Sequence, residues 1–254
     1  MSVERGSVRV IVARPLVRVF AILLACGGAL SAQPVAPQRL TRESVTLSDG
    51  SVLRYGLSLP EGYDASAEEP RPLVLVLHPG TRGEYYGASF MQSIVEPGLR
   101  AWNAVMVAPD VQDRSWSTPR SERTLVELVE RIIEEHAIDR ARVLVTGFSM
   151  GGAGTWYLAA RHPELFTGAI VMAGSPGRDD AARISIPIYL IHSPDDEVVP
   201  FSAAEGAYYA LAERKHAVEM RVLPGLSHGM MGAYVPSLRL AGGWMMERWL
   251  GDRR

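Results

Sequence analysis

Short unbroken apolar runs recur along the chain, at residues 73–77, 104–108, 143–145, 169–172 and 186–191. A strand that is apolar at every position has both faces covered, which is the pattern of a mostly parallel sheet between helical layers. Residues 41–47 and 51–59 instead alternate apolar and polar around Ser48-Asp49-Gly50, the pattern of an antiparallel hairpin. Between the runs the apolar spacing becomes helical. Leu125, Leu128, Val129, Ile132 and Ile133 fall on one face of a helix predicted over 121–138, with glutamates and arginines opposite. Residues 203–215 and 235–250 read as further helices and 218–223 as a last strand. The stretch from 78 to 103, with Tyr85, Tyr86, Phe90 and Trp102, reads as irregular. The expected fold class is therefore α/β: a doubly wound, mostly parallel sheet with helices on both faces and an N-terminal hairpin. Its ligand crevice should lie at the carboxyl ends of the strands. The gap over 173–185 is too short for a large helical lid.

Composition changes this picture only at the N-terminus. The 254 residues suit one domain, and a formal charge of −2 gives no footprint for nucleic acid. The single cysteine, Cys26, allows neither a disulfide framework nor a cysteine metal site. Arg5, Arg9, Arg14 and Arg18 against Glu4 form a basic leader, and the apolar run 19–30 follows, too short to span a bilayer comfortably. Ser31 and Ala32 complete the layout of a signal peptide over 1–32, with export to the periplasm or medium expected. Leu23-Leu24-Ala25-Cys26-Gly27 also resembles a bacterial lipobox, which would put a lipid anchor on Cys26. Without residues 1–32 the chain holds 22 basic and 27 acidic residues. Residues 33–40, with two prolines, read as a linker, and 41–254 as the domain.

The strand signal at 143–145 runs into Gly147-Phe148-Ser149-Met150-Gly151, and a helix-favouring segment follows. Glycines on both sides of one serine, between a buried strand and a helix, match the G-x-S-x-G nucleophile elbow. A tight strand-to-helix turn strains the serine backbone and leaves no room for side chains at Gly147 or Gly151. It also sets the hydroxyl at a helix N-terminus, where N–H groups are unpaired. A serine hydroxyl needs a general base, and the base needs an orienting carboxylate. The runs ending at 191 and 223 lead into His192-Ser193-Pro194-Asp195-Asp196-Glu197 and Pro224-Gly225-Leu226-Ser227-His228. These supply an acid, then a histidine.

The order Ser149, Asp196, His228 resembles that of the α/β hydrolases, and the resemblance covers 41–254. It is strongest toward lid-less bacterial serine esterases of the polyhydroxybutyrate depolymerase, feruloyl esterase and dienelactone hydrolase-like branches. The segment His192–Pro200 is similar to H-G-x-x-D-x-V-V-P, whose aspartate is the triad acid. This alignment implies Asp196, with Asp195 the competing choice, and Ser193 departs from the usual glycine. The oxyanion hole is expected from the Met150 N–H and one donor in His78-Pro79-Gly80-Thr81. Pro79 has no N–H, so that donor is Gly80 or Thr81, with Thr81 preferred.

Trp116 is a pocket candidate because it follows a strand's carboxyl end, and Tyr85, Tyr86 and Met231 are weaker ones. His78 and His192 are expected to hold loops. His136, His162 and His216 sit at helix ends, where a positive charge is mildly favourable, and Trp156 is expected in the core. No cluster has metal-ligand spacing and no cofactor is expected. The resemblance implies hydrolysis of small-molecule or polysaccharide-linked carboxylic esters. Peptidases of the prolyl-oligopeptidase class, polyester depolymerases and thioesterases share the scaffold, and a non-catalytic binding protein is the reading from another class.

Overall fold

A computed structural model describes residues 38–60, 62–64, 69–80 and 83–251. The expected signal peptide, the Cys26 anchor site, linker residues 33–37 and the expected donor Thr81 lie outside the described residues. One eight-stranded sheet carries the fold, in the order β1-β2-β4-β3-β5-β6-β7-β8. Its strands are β1 (Gln38–Thr46), β2 (Val52–Pro60), β3 (Arg71–Leu77), β4 (Val105–Pro109), β5 (Ile138–Phe148), β6 (Gly168–Met172), β7 (Ile188–His192) and β8 (Val218–Val222). β1 and β2 form the antiparallel hairpin, with Gly50 in the left-handed region at the turn, and β2 meets β4 antiparallel. All other pairs are parallel.

The apolar strands are explained by two cores. Leu73, Leu75 and Leu77 of β3 face one, while Val74 and Val76 face the other, and β4 to β7 divide in the same way. The first core is closed by α3 (Pro119–Glu135), α4 (Met150–Arg161) and α6 (Phe201–Glu213). The second is closed by α7 (Val235–Gly251) and the segment 86–102. Burial of the whole strand surface, at roughly 25 cal/mol per Å² of apolar area, is what drives this sandwich.

Three expectations need correction. The segment from 86 to 102 is not irregular: α1 (Tyr86–Phe90), a π-helical turn, α2 (Glu96–Leu99) and a 3₁₀ turn follow one another. Phe90, Met91, Val95 and Leu99 are all buried there, so it is a helical layer, and Pro97 stands in the first turn of α2, where its missing N–H costs no helical bond. Residues 38–40 are not linker, because β1 already pairs Gln38 with Pro60. The predicted helix over 121–138 starts at Pro119, capped by Thr118, and stops at Glu135. Ile138 belongs to β5. The 173–185 gap holds only α5 (Asp180–Arg183).

Candidate active site

Four strand ends converge at the carboxyl edge of the sheet: β3 runs into His78, β5 into Ser149, β7 into the 193–200 loop and β8 into the 223–230 loop. Ser149 is forced into φ 56°, ψ −116°, a conformation costly for any residue with a side chain. Close packing enforces the turn. A Cβ on Gly147 would lie 2.5 Å from the Gly151 backbone, and one on Gly151 would collide with the Leu77 carbonyl. The Ser149 N–H is held by the Met172 carbonyl at 3.0 Å, and the Ser149 carbonyl accepts the Ala153 N–H at 2.9 Å. The strained serine is thus tied to β6 and to the first turn of α4.

The structure brings Ser149, His228 and Asp196 together. The Ser149 hydroxyl and His228 Nε2 are 2.8 Å apart, and His228 Nδ1 is 2.8 Å from Asp196 Oδ2. With Nδ1–H donating to the carboxylate, bare Nε2 is left to accept the serine proton. The other carboxylate oxygen of Asp196 accepts the N–H groups of Val198 at 2.9 Å and Val199 at 2.8 Å. Burial of Asp196 pushes its pKa up, but the bonds from His228 and these amides outweigh it and hold the carboxyl below its usual range. Phe148, on the strand just before the serine, packs its ring 5.1 Å from that of His228 and edge-on against Tyr234.

The competing acid points elsewhere. Asp195 is exposed and accepts the Gly225 N–H at 2.6 Å. Ser193, in place of a glycine, is buried, and its hydroxyl accepts the Asp195 N–H at 3.1 Å. His192 Nε2 donates to the Val199 carbonyl at 3.1 Å, and burial holds its pKa low despite the nearby Asp196 carboxylate.

His78 is locked as a neutral ring. Its Nε2 accepts the Val111 N–H at 3.2 Å, so Nδ1 carries the proton and donates to the Pro79 carbonyl at 2.7 Å. Burial lowers its pKa. Gly80 lies against the start of α4, with its ideal Cβ 3.8 Å from Met150 Cβ. Met150 is the first helical residue after Ser149, so its N–H is one of those no helical carbonyl can take. The loop after β3 and the free N–H at the start of α4 thus lie side by side.

One of the pocket candidates is placed differently from expectation, while Tyr85, Tyr86 and Met231 are half-buried. Trp116 is 1% exposed and donates from Nε1 to the His78 carbonyl at 2.8 Å. It is a brace behind the loop, not a cleft wall. Tyr86 packs edge-on against His78, and Tyr85, at φ 54°, donates its N–H to Asp110 Oδ2 at 2.6 Å. Met231 packs against the second core. Trp156 is fully buried, as expected of a core residue. His136 does cap the end of α3, where burial pushes its pKa down. His162 does pair with carboxylates, Glu122 at 2.8 Å and Glu164 at 3.0 Å. His216 faces the Ile186 carbonyl at 2.8 Å. Two supporting residues escaped sequence reasoning. Asp110 takes the N–H groups of Tyr85 and Gly87, and Glu197 takes that of His228. Their only signal was position, directly after strand β4 and directly after the acid.

Among the described residues no His, Cys, Asp and Glu group is arranged to hold a metal. None of their helices is long and apolar enough to cross a membrane.

Known proteins are similar to this chain over part of their length. The probable feruloyl esterase C of Aspergillus terreus is 26% identical over 194 residues, 68% of this chain and 67% of that protein. Feruloyl esterase C of Emericella nidulans is 26% identical over 158 residues, 58% of this chain and 56% of its own length. The chain thus spans between half and two thirds of these relatives. A solved thermostable esterase superposes with a TM-score of 0.70 at 26% identity, over 82% of this chain and 62% of that one. The sequence pattern of the phospholipase/carboxylesterase family matches residues 88–239, from the helical layer through the elbow to the start of the last helix. With the eight-stranded, mostly parallel sheet already described, that match places this chain in the phospholipase/carboxylesterase family of α/β hydrolases.

Proposed function

We propose that the protein is a serine hydrolase of carboxylic esters that works through an acyl-enzyme on Ser149. One observation carries the reading: His228 bridges the Ser149 hydroxyl and the buried Asp196 carboxylate with two 2.8 Å contacts. His228 Nε2 takes the serine proton as Oγ attacks the ester carbonyl, and Asp196 holds the ring and stabilises the imidazolium. The oxyanion is met by the Met150 N–H and by a backbone donor from the loop after β3, Gly80 or Thr81. Each such donor is worth about 3 kcal/mol. His228 then protonates the leaving alcohol, and a water it activates releases the acid.

Bulky aryl or polysaccharide-linked acyl esters are the substrate class we favour. Support comes from the feruloyl esterase relatives and from a 173–185 segment that holds no helix longer than four residues. The basic leader and apolar run favour an exported protein.

The test is turnover of a p-nitrophenyl acyl ester panel, methyl ferulate, acetylated xylan and an aminoacyl anilide by wild type and Ser149→Ala. Ester turnover that falls by about six orders of magnitude in the variant supports the reading. Ester turnover that survives in a folded Ser149→Ala refutes it, and cleavage of the anilide alone moves the protein to the peptidases.

A further inference from the structure

β8 ends the sheet, and among the described residues nothing pairs with its outer edge. Ile188 donates its N–H to the Ala217 carbonyl, and Leu223 donates to the His192 carbonyl. Odd-numbered residues of this stretch therefore turn their backbone groups toward β7, and Met220 and Val222 turn theirs outward. The strand reads Val218-Glu219-Met220-Arg221-Val222. Glu219 and Arg221 are exposed, and Val222 is 42% exposed. Neither charged side chain is in a salt bridge among the described residues.

This sequence is complementary to itself when reversed. Antiparallel pairing with a two-fold axis at Met220 sets Met220 on Met220 of the second copy and Val218 on Val222. It also sets Glu219 on Arg221, once on each side of the axis. The outward backbone groups of Met220 coincide with the hydrogen-bonded pair that such an axis requires. Glu219 and Arg221 fall in the non-hydrogen-bonded pairs, where side chains come closest. Side chains separate by face as well. Val218 and Met220 pack with the first core, whereas Glu219 and Arg221 lie on the Tyr189 side. An edge strand guarded against self-association carries like charges or a proline, and this one carries opposite charges at the spacing that rewards it.

We infer that β8 is a dimerisation edge whose occupant is the β8 strand of a second copy of this chain, giving a continuous sixteen-stranded sheet. The inference is independent of the catalytic reading.

Sedimentation velocity of the purified protein across about 1–100 µM, the range in which a micromolar dimer dissociates, is the test. Wild type is expected to dimerise. Arg221→Glu sets like charges opposite each other in both symmetric pairs and should weaken the dimer at least about 10-fold. Exchanging the charges, Glu219→Arg with Arg221→Glu, should restore it. Met220→Pro removes an outward N–H that β7 does not use, so it should yield a folded monomer. A wild type that stays monomeric throughout, or a dimer indifferent to Arg221→Glu and Met220→Pro, overturns the inference. A charge exchange that stays monomeric while folded does so too.

Discussion

Glu197 Oε2 accepts the backbone N–H of His228 at 3.1 Å, one residue along the chain from the aspartate that holds the same histidine's ring. Asp195, on the other side of Asp196, takes the Gly225 N–H. Three consecutive acids thus clamp one loop, two by its backbone and one by its imidazole. Glu197→Ala should free the His228 backbone and lower kcat about 3- to 10-fold, while KM for a small ester stays near wild type, as expected when orientation is lost and binding is not. Glu197→Gln keeps an acceptor and should recover most of the rate. Equal loss in both variants would show that the carboxylate's charge matters, and no loss in either would remove Glu197 from the positioning set.

The two adjacent aspartates should separate cleanly. Asp196→Asn leaves the loop bonds to Val198 and Val199 possible but cannot hold the His228 Nδ1–H, so the wrong tautomer faces Ser149. A kcat drop of about four orders of magnitude is expected for that variant. Asp195→Asn, acting only on the Gly225 N–H at the surface, should cost about 3-fold or less. Initial rates for both with the same p-nitrophenyl ester decide between them.

Two glycine replacements of opposite sign test the packing. Gly151→Ala pushes a methyl into the Leu77 carbonyl and should destabilise by about 3 kcal/mol or more, or displace the elbow. Gly243, exposed inside α7 with nothing within 4 Å of its ideal Cβ, is the reverse case. Gly243→Ala should add about 0.5–1 kcal/mol through helix propensity and a less flexible unfolded chain. Chemical denaturation of both, read as midpoint at constant slope, checks the pair.

Acid sensitivity should begin at mild pH. Burial holds His78, His136 and His192 below the ordinary histidine range. Below about pH 6.5 the unfolded chain takes up protons at these positions that the folded chain refuses, so stability present above that pH is lost as pH falls. The depressed Asp196 carboxyl adds a second loss at lower pH, starting as the unfolded aspartate protonates near pH 4 and complete once pH passes below its folded pKa. Melting curves at pH 7.5 and 5.5 should differ, and His136→Gln should reduce the difference. A Tm unchanged between the two would contradict the lowered pKa of these rings.

Local chemistry made much of this protein legible in one dimension. Unbroken apolar runs marked β3 to β7, because a strand covered on both faces has no polar position to spare. The elbow was legible because its packing leaves no room for a side chain two residues before or after the serine, and an aspartate followed by Glu197-Val198-Val199-Pro200 could be picked from its neighbour by resemblance. What was not legible depends on distance between elements. The 86–102 layer is helical because its apolar residues meet α7 and the sheet, a fact carried by no local period. Trp116 looked like a pocket wall by position, but its ring fits beside Gly154 and its indole N–H finds the His78 carbonyl, 38 residues away in sequence. His136 sits at a helix end, where a positive charge is mildly favourable, and only its packing beside Tyr63 shows a half-buried ring whose pKa is pushed down. Backbone strain and face coverage are local constraints, so the residue types that could stand at each strand end were already readable along the chain. Which of the candidates meet depends on the assembled sheet, because a 2.8 Å contact between residues 79 positions apart exists only once β6 and β7 have brought the ends of β5 and β8 to one edge.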